Sequence, residues 1–71
     1  MFKVTLKAAR VNANMRQTDA ATKVGVSRDT IRNWECGRSY PKVDQLCKLS
    51  ELYGIPMDYI FLPTRFTKSE Q

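Results

Sequence analysis

The sequence predicts an all-α fold, a compact bundle of about five helices. Three observations lead to this prediction. Apolar residues recur every three or four positions over much of the chain. Asparagine, glycine or proline follows each of these periodic stretches, where it would end a helix. No segment alternates apolar and polar residues over enough positions to predict a β-strand.

The first helix is predicted to begin after Thr5, because a threonine hydroxyl readily caps a helix N-terminus. Residues 6–13 then avoid glycine and proline and contain several good helix formers, and Asn12 and Asn14 mark the end. A second helix is predicted over 17–24, because its apolar side chains share one face. These side chains are Ala20, Ala21 and Val24.

A third helix is predicted to follow a very short turn at residues 25–27. Ser27 is its expected N-cap and Gly37 its expected stop. Between them, Ile31 and Trp34 are spaced to form a buried stripe.

Two further helices complete the predicted bundle. A loop over 39–41 precedes an amphipathic fourth helix that ends at Gly54. Its expected face is formed by Val43, Leu46, Leu49, Ser50 and Tyr53. A short last helix is predicted through Met57, Ile60 and Phe61. Pro63 is expected to terminate the fold, and residues 63–71 to form a mobile C-terminal tail.

Composition excludes several classes of protein. A length of 71 residues suffices for one small domain, which argues against most enzymes. Two cysteines and no histidine cannot complete a zinc site in one chain, and we expect a reducing cytosol. No serine or cysteine has a candidate base beside it, and no glycine-rich phosphate loop occurs. Because the apolar runs are short, we expect a soluble intracellular protein without membrane contact.

The basic charge is concentrated in one half of the chain. Residues 1–38 contain eight basic and three acidic side chains, which accounts for the whole net charge of +5. Residues 39–71 contain four of each sign. This asymmetry is consistent with a surface that faces a polyanion, and a solvated basic face is the alternative.

Two short helices joined by a glycine-containing turn form a helix-turn-helix, in which the second helix enters the DNA major groove. The second and third predicted helices fit this description. The outward face of the third helix is polar throughout and able to reach base edges or phosphates, although a merely solvated helix would look similar. This face is formed by Arg28, Asp29, Arg32 and Asn33.

The pattern resembles the Cro and phage-repressor type of helix-turn-helix protein, also called the XRE family. The residues that carry the resemblance are Gln17, Ala21, Lys23, Val24, Gly25, Val26, Ser27, Ile31, Trp34, Glu35, Gly37 and Pro41. The resemblance extends from about Leu6 to Phe61. It implies a lambda-repressor-like DNA-binding domain over residues 1–62, and the small size makes the chain look closest to a Cro-type repressor.

The resemblance implies a sequence-specific transcriptional regulator from a phage or prophage, located in the bacterial cytoplasm. Such a protein would bind a double-stranded DNA operator as a homodimer and block a promoter. It would need no cofactor, metal or catalytic residue. An antitoxin-like module that binds a protein and autoregulates through DNA is the alternative. The candidate dimer contacts are Phe2 and Val4, or Ile55, Pro56, Met57, Tyr59 and Phe61. The alternatives are a hydrophobic staple of Val4 onto Ala9, and core packing for the residues from Ile55 to Phe61.

The predicted DNA-binding residues are Arg16, Gln17, Ser27, Arg28, Asp29, Arg32, Asn33, Arg38, Tyr40 and Lys42. Arg28 is suited to bidentate contact with guanine, and Asn33 with adenine. By resemblance, Gln17 opens the first motif helix and hydrogen-bonds a phosphate or a base edge. Arg32 is interpreted as a phosphate contact, as is Arg16, which stands where the family more often has a small N-cap.

Asp29 is interpreted as a residue that suits the helix dipole and orients Arg28 or Asn33, because phosphates repel a carboxylate. The alternative is that it accepts a hydrogen bond from cytosine N4. Arg38, Tyr40 and Lys42 follow the third helix, where the loop of the family approaches the DNA backbone. All three can donate to a phosphate. For Tyr40, packing on the core is the alternative.

Arg10 and Glu35 match a family pair that forms a partly buried salt bridge, for which an exposed surface pair is the alternative. Cys36 and Cys47 are expected to be a small apolar contact and a helix-surface residue, rather than a disulfide. Neither cysteine is given a chemical role.

Overall fold

The computed structural model describes residues 3–62, which form four α-helices, one short 3-10 helix and two very short strands. In chain order the elements are β1 (Val4–Thr5), α1 (Leu6–Asn12), α2 (Gln17–Val24), α3 (Arg28–Cys36), α4 (Val43–Tyr53), the 3-10 helix Met57–Tyr59 and β2 (Ile60–Phe61). The predicted mobile tail, residues 63–71, and the candidate dimer contact Phe2 lie outside the described residues.

The helix boundaries are set by local capping groups, as predicted. The Thr5 hydroxyl accepts a hydrogen bond from the Ala8 backbone N–H at 3.1 Å. The Ser27 hydroxyl accepts one from the Thr30 N–H at 3.2 Å. Left-handed glycines end the next three helices: Gly25, Gly37 and Gly54. These five predicted caps and stops are therefore confirmed, whereas the predicted stop at Pro63 lies outside the described residues.

The prediction that the chain has no strands is wrong. Val4 pairs with Ile60, and Thr5 with Phe61, in a two-stranded parallel sheet. Strands of two residues show no alternation in the sequence, so only their pairing across the fold defines them. The predicted last helix is a 3-10 helix followed by β2, because the chain extends to meet β1. The described residues thus contain four α-helices rather than about five.

The hydrophobic core lies between the helices and the strand pair. Ile31 and Leu49 are its most completely buried large side chains. The buried apolar residues are Leu6, Ala9, Ala20, Ala21, Val24, Ile31, Trp34, Leu49, Tyr53 and Ile60. The buried face of α3 therefore packs into the centre of the domain, which leaves its opposite face at the surface.

Two predicted packing positions are wrong. Val43 was expected on the buried face of the fourth helix but is 73% exposed, because it is the first residue of α4 and projects beyond the core. Cys36 is exposed at the end of α3 rather than forming an apolar contact. Cys47 is exposed as expected, and both thiols are free. Each helix within residues 3–62 falls short of the length and apolarity that a bilayer crossing requires.

Candidate nucleic-acid interface

The turn between α2 and α3 fixes the direction in which α3 leaves. The backbone N–H groups of Gly25 and Val26 both donate to the Ala21 carbonyl, at 2.8 Å and 3.0 Å. Gly25 has a φ of +90°, a backbone conformation that is strained for a residue with a side chain. Val26 is half-buried and packs against the core. The turn is therefore closed by hydrogen bonds and held in place by an apolar contact.

Helix α3 has one buried and one polar face. Ile31 and Trp34 pack into the core, while Arg28, Asp29 and Arg32 are exposed. Asn33 is half-buried beside them. The structure thus brings the four residues predicted for the recognition face together on one surface helix, within reach of a molecule that approaches from outside.

A second group of predicted residues surrounds the N-terminus of α2. Arg16, Gln17, Thr18 and Arg28 line an open depression, together with the largely buried Arg10. Three of the predicted DNA-binding residues therefore meet at one place, although Arg16 and Gln17 lie at the start of α2 and Arg28 at the start of α3. The positive charge of the arginines makes this depression suitable for an anion.

A buried ion pair ties this region together. Arg10 Nε lies 2.7 Å from Glu35 Oε2, and the two side chains are only 10% and 5% exposed. The hydrogen bond to Glu35 raises the pKa of Arg10 above its ordinary value. The Arg10 guanidinium also donates to the Met15 carbonyl at 2.9 Å. The predicted salt bridge is confirmed, and the alternative of an exposed pair is wrong.

The same carboxylate also holds Gln17. Gln17 Nε2 donates to Glu35 Oε1 at 3.1 Å, beside the Arg10 Nη2 contact at 3.3 Å. Glu35 therefore joins α1, α2 and α3 through side chains alone. The family resemblance pairs Glu35 with Arg10 only, and no spacing in the sequence indicates the link to Gln17.

The N-terminus of α2 is capped without the side chain of Arg16. The backbone N–H of Arg16 donates to Asp19 Oδ2 at 3.0 Å, and this bond lowers the pKa of Asp19. The Arg16 guanidinium, whose Nε lies 3.6 Å from the same oxygen, is almost wholly exposed. The Asp19 carboxylate thus satisfies the backbone N–H of Arg16, which is a different bond from the one that a smaller N-cap side chain would accept from the first turn of α2. The charge of Arg16 stays at the surface.

The remaining predicted residues lie at the two ends of α3. The Ser27 hydroxyl accepts the capping N–H of Thr30 and lies 3.0 Å from the Thr30 hydroxyl, so it has a structural role already. Arg38, Tyr40 and Lys42 are exposed in the segment that follows α3. Tyr40 is 39% exposed and lies outside the hydrophobic cluster, so the core-packing alternative is wrong.

Comparison with known proteins supports the interpretation of the fold. A family model described as helix-turn-helix matches residues 6–60, which is most of the chain. The chain belongs to the XRE family of helix-turn-helix proteins. No solved structure matches it.

Three relatives illustrate the range of this XRE-family similarity. The chain is 33% identical over 66 residues to the HTH-type transcriptional regulator ImmR of Bacillus subtilis, covering 93% of this chain and 52% of ImmR. It is 32% identical over 57 residues to the cryptic phage CTXphi transcriptional repressor RstR of Vibrio cholerae, covering 80% and 51%. It is 37% identical over 61 residues to the uncharacterized HTH-type transcriptional regulator MJ0272 of Methanocaldococcus jannaschii, covering 86% and 92%. The chain thus spans about half the length of ImmR and RstR.

Proposed function

We propose that this XRE-family domain is a sequence-specific DNA-binding transcriptional regulator whose helix α3 enters the major groove. The observation that carries the proposal is the exposed polar face of α3, with Arg28 adjoining the basic depression at the start of α2. A major groove accepts one α-helix, and base edges there present patterns that arginine and asparagine distinguish. Names of relatives support the same role, since ImmR is called a transcriptional regulator and RstR a repressor.

The contacts divide into two kinds. Arg28 and Asn33 are proposed to read base edges, guanine and adenine respectively, because both can form bidentate hydrogen bonds. Arg16, Arg32 and the exposed residues that follow α3 are proposed to bind phosphates and so fix the position of the helix in the groove. The remaining phosphate ligands in this group are Arg38, Tyr40 and Lys42.

The finer proposal is a phage or prophage repressor of the Cro type that acts as a homodimer and occludes a promoter. A two-fold dimer reads two half-sites about 34 to 36 Å apart, so its operator would be palindromic. Tyr59 and Phe61 leave large apolar surfaces exposed near the end of the fold, which supports a contact with a second copy there.

The first experiment is fluorescence anisotropy of the protein on a random DNA pool and on the DNA upstream of its own gene, across salt concentrations. We expect the upstream fragment to bind about a thousandfold more tightly than the pool, with a steep salt dependence. Equal binding to both, or no binding, would contradict a specific regulator. That outcome would favour the protein-binding, antitoxin-like alternative.

Two variants separate base reading from phosphate binding. Arg28→Ala is expected to weaken binding to the operator by about 1 to 3 kcal/mol and to relax specificity at one base position. Lys42→Ala is expected to weaken binding to all DNA sequences alike. It is also expected to reduce by about one the slope of log affinity against log salt concentration. Lys48→Ala is the charge-matched control, because Lys48 lines a separate depression with Lys23 and Leu52. An equal change in slope for Lys48→Ala would contradict a specific role for Lys42.

A further inference from the structure

Glu35 is a buried acceptor that serves two partners of different chemistry. Its carboxylate takes two hydrogen bonds from Arg10 and one from Gln17. The ion pair with Arg10 explains why the carboxylate is stable in a buried position. It does not explain the third hydrogen bond, which is directed to a side chain that opens on the surface depression.

The third hydrogen bond determines how the Gln17 amide is oriented. A carboxylate can only accept, whereas the two ends of a glutamine amide differ, one donating and the other accepting. The Nε2 group of Gln17 must therefore face Glu35, and the opposite orientation would place two acceptors against each other. Once one N–H is used, the second N–H and Oε1 remain for partners from outside the domain.

Gln17 is also placed where an anion would meet it. It is the first residue of α2, it is half-buried, and it lines the depression with Arg16, Thr18 and Arg28. A flexible amide at this position would lose side-chain freedom when it bound a phosphate, which weakens the contact. An amide already held by a buried carboxylate loses less.

We propose that Glu35 is a positioning residue for DNA binding: it holds the Gln17 amide so that its second N–H donates to a phosphate in the depression. This proposal rests on the proposed DNA-binding function. It assigns to Glu35 a task beyond its salt bridge, since a purely structural Glu35 would stabilise the fold without affecting how Gln17 binds DNA.

The test is a double-mutant cycle on DNA affinity. Gln17→Met removes the amide while keeping the length of the side chain. It is made in the wild-type protein and in Arg10→Met/Glu35→Leu, where apolar side chains replace the buried pair and leave no unpaired charge. Chemical denaturation checks that each variant is folded under the binding conditions. Anisotropy on the upstream DNA then gives four affinities.

In the wild-type background, we expect Gln17→Met to weaken binding about 10- to 150-fold, the range for one hydrogen bond to a charged group. In the apolar-pair background, we expect the same substitution to change affinity by less than about 2-fold, because the amide is no longer held. Arg10→Met/Glu35→Gln is the conservative variant. Its amide oxygen can still accept a hydrogen bond from Gln17. In this background, Gln17→Met should therefore weaken DNA binding by more than in Arg10→Met/Glu35→Leu and by less than in the wild type.

Equal losses in both backgrounds would overturn the positioning role while leaving DNA binding intact. Failure of the wild-type protein to bind any DNA would instead overturn the proposed function and this inference with it. The NMR signals of the Gln17 side-chain amide give a readout without DNA. One of its two protons should shift and exchange slowly in the wild type, and should lose both properties in Arg10→Met/Glu35→Leu. Unchanged signals would contradict the proposal.

Discussion

The helix-turn-helix unit, residues 17–37, and the strand pair β1–β2 are held by contacts of very different range. In the first, Ser27 caps α3 through Thr30, three residues away, and the Gly25 N–H binds a carbonyl one turn back. In the second, Val4 meets Ile60, near the opposite end of the described chain. The surface proposed to bind DNA therefore depends on local interactions for its shape, and on the Arg10–Glu35 pair, whose members lie 25 residues apart, for its attachment to α1.

The buried ion pair is the strongest test of that attachment, because it links α1 to the end of α3. Arg10→Ala leaves the Glu35 carboxylate buried without its charge partner, which is expected to cost about 3 to 5 kcal/mol of unfolding free energy. Urea denaturation measures the loss. Arg16→Ala is the control, because that arginine is almost wholly exposed, and its loss should be far smaller. Similar losses for both variants would contradict a buried pair.

The strand pair is tested by two neighbouring residues of β2. Ile60 belongs to the buried core, whereas Phe61 is 44% exposed. We expect Ile60→Ala to cost about 2 to 5 kcal/mol, because it leaves a cavity in the core. Phe61→Ala should cost about 0.5 kcal/mol, as is usual for surface positions. If the two variants were equally unstable in thermal or urea unfolding, pairing rather than packing would hold β2.

The turn is tested at Gly25, where the backbone rather than packing sets the cost. A Cβ built on Gly25 meets no atom within 4 Å, so Gly25→Ala strains only the left-handed conformation. This strain is expected to cost about 1 to 2 kcal/mol in urea denaturation. Gly25→Asn should lose less, because asparagine tolerates this region better. Equal stability of the wild type and the alanine variant would mean that the turn had changed its conformation.

The smallest effect is a dependence on alkaline pH. Burial raises the pKa of Tyr53 to about 12, against about 10 for a tyrosine in an unfolded chain. The folded state thus holds this proton more tightly, so its stabilising effect is complete below about pH 10 and is lost as the pH rises towards 12. Tyr53→Phe should remove that slope from the unfolding free energy measured between these pH values. If the slope of unfolding free energy against pH were unchanged in Tyr53→Phe, titratable groups other than Tyr53 would be its cause.

The part of the fold that depends on local chemistry could be predicted from the sequence. The bounds of α2 and α3 follow from Ser27 and the glycines at 25 and 37, since capping acts within a few residues. The strands could not be predicted, because a two-residue element shows no periodicity and exists only through its partner. The exposure of Val43 was missed for a related reason: an apolar residue at a helix end fits the periodic pattern but can extend beyond the core.

The candidate site shows the same division. The exposed residues of α3 could be predicted, because helical spacing separates them from Ile31 and Trp34. The Arg10–Glu35 pair was inferred from a family resemblance. The hydrogen bond between Gln17 and Glu35 was not predicted, because the positions of three helices must be known before these side chains are seen to meet.

The long-range register of β1 and β2 also bears on the order in which the chain assembles. Joining Val4 to Ile60 closes a loop that includes nearly the whole described chain, and we expect the entropy of that closure to delay the contact until the helices have packed. The same contact should open first in the native protein. Amide protons of the strand pair are therefore expected to exchange with solvent through a small local opening. Those of α2 and α3 are expected to exchange only when the whole domain unfolds.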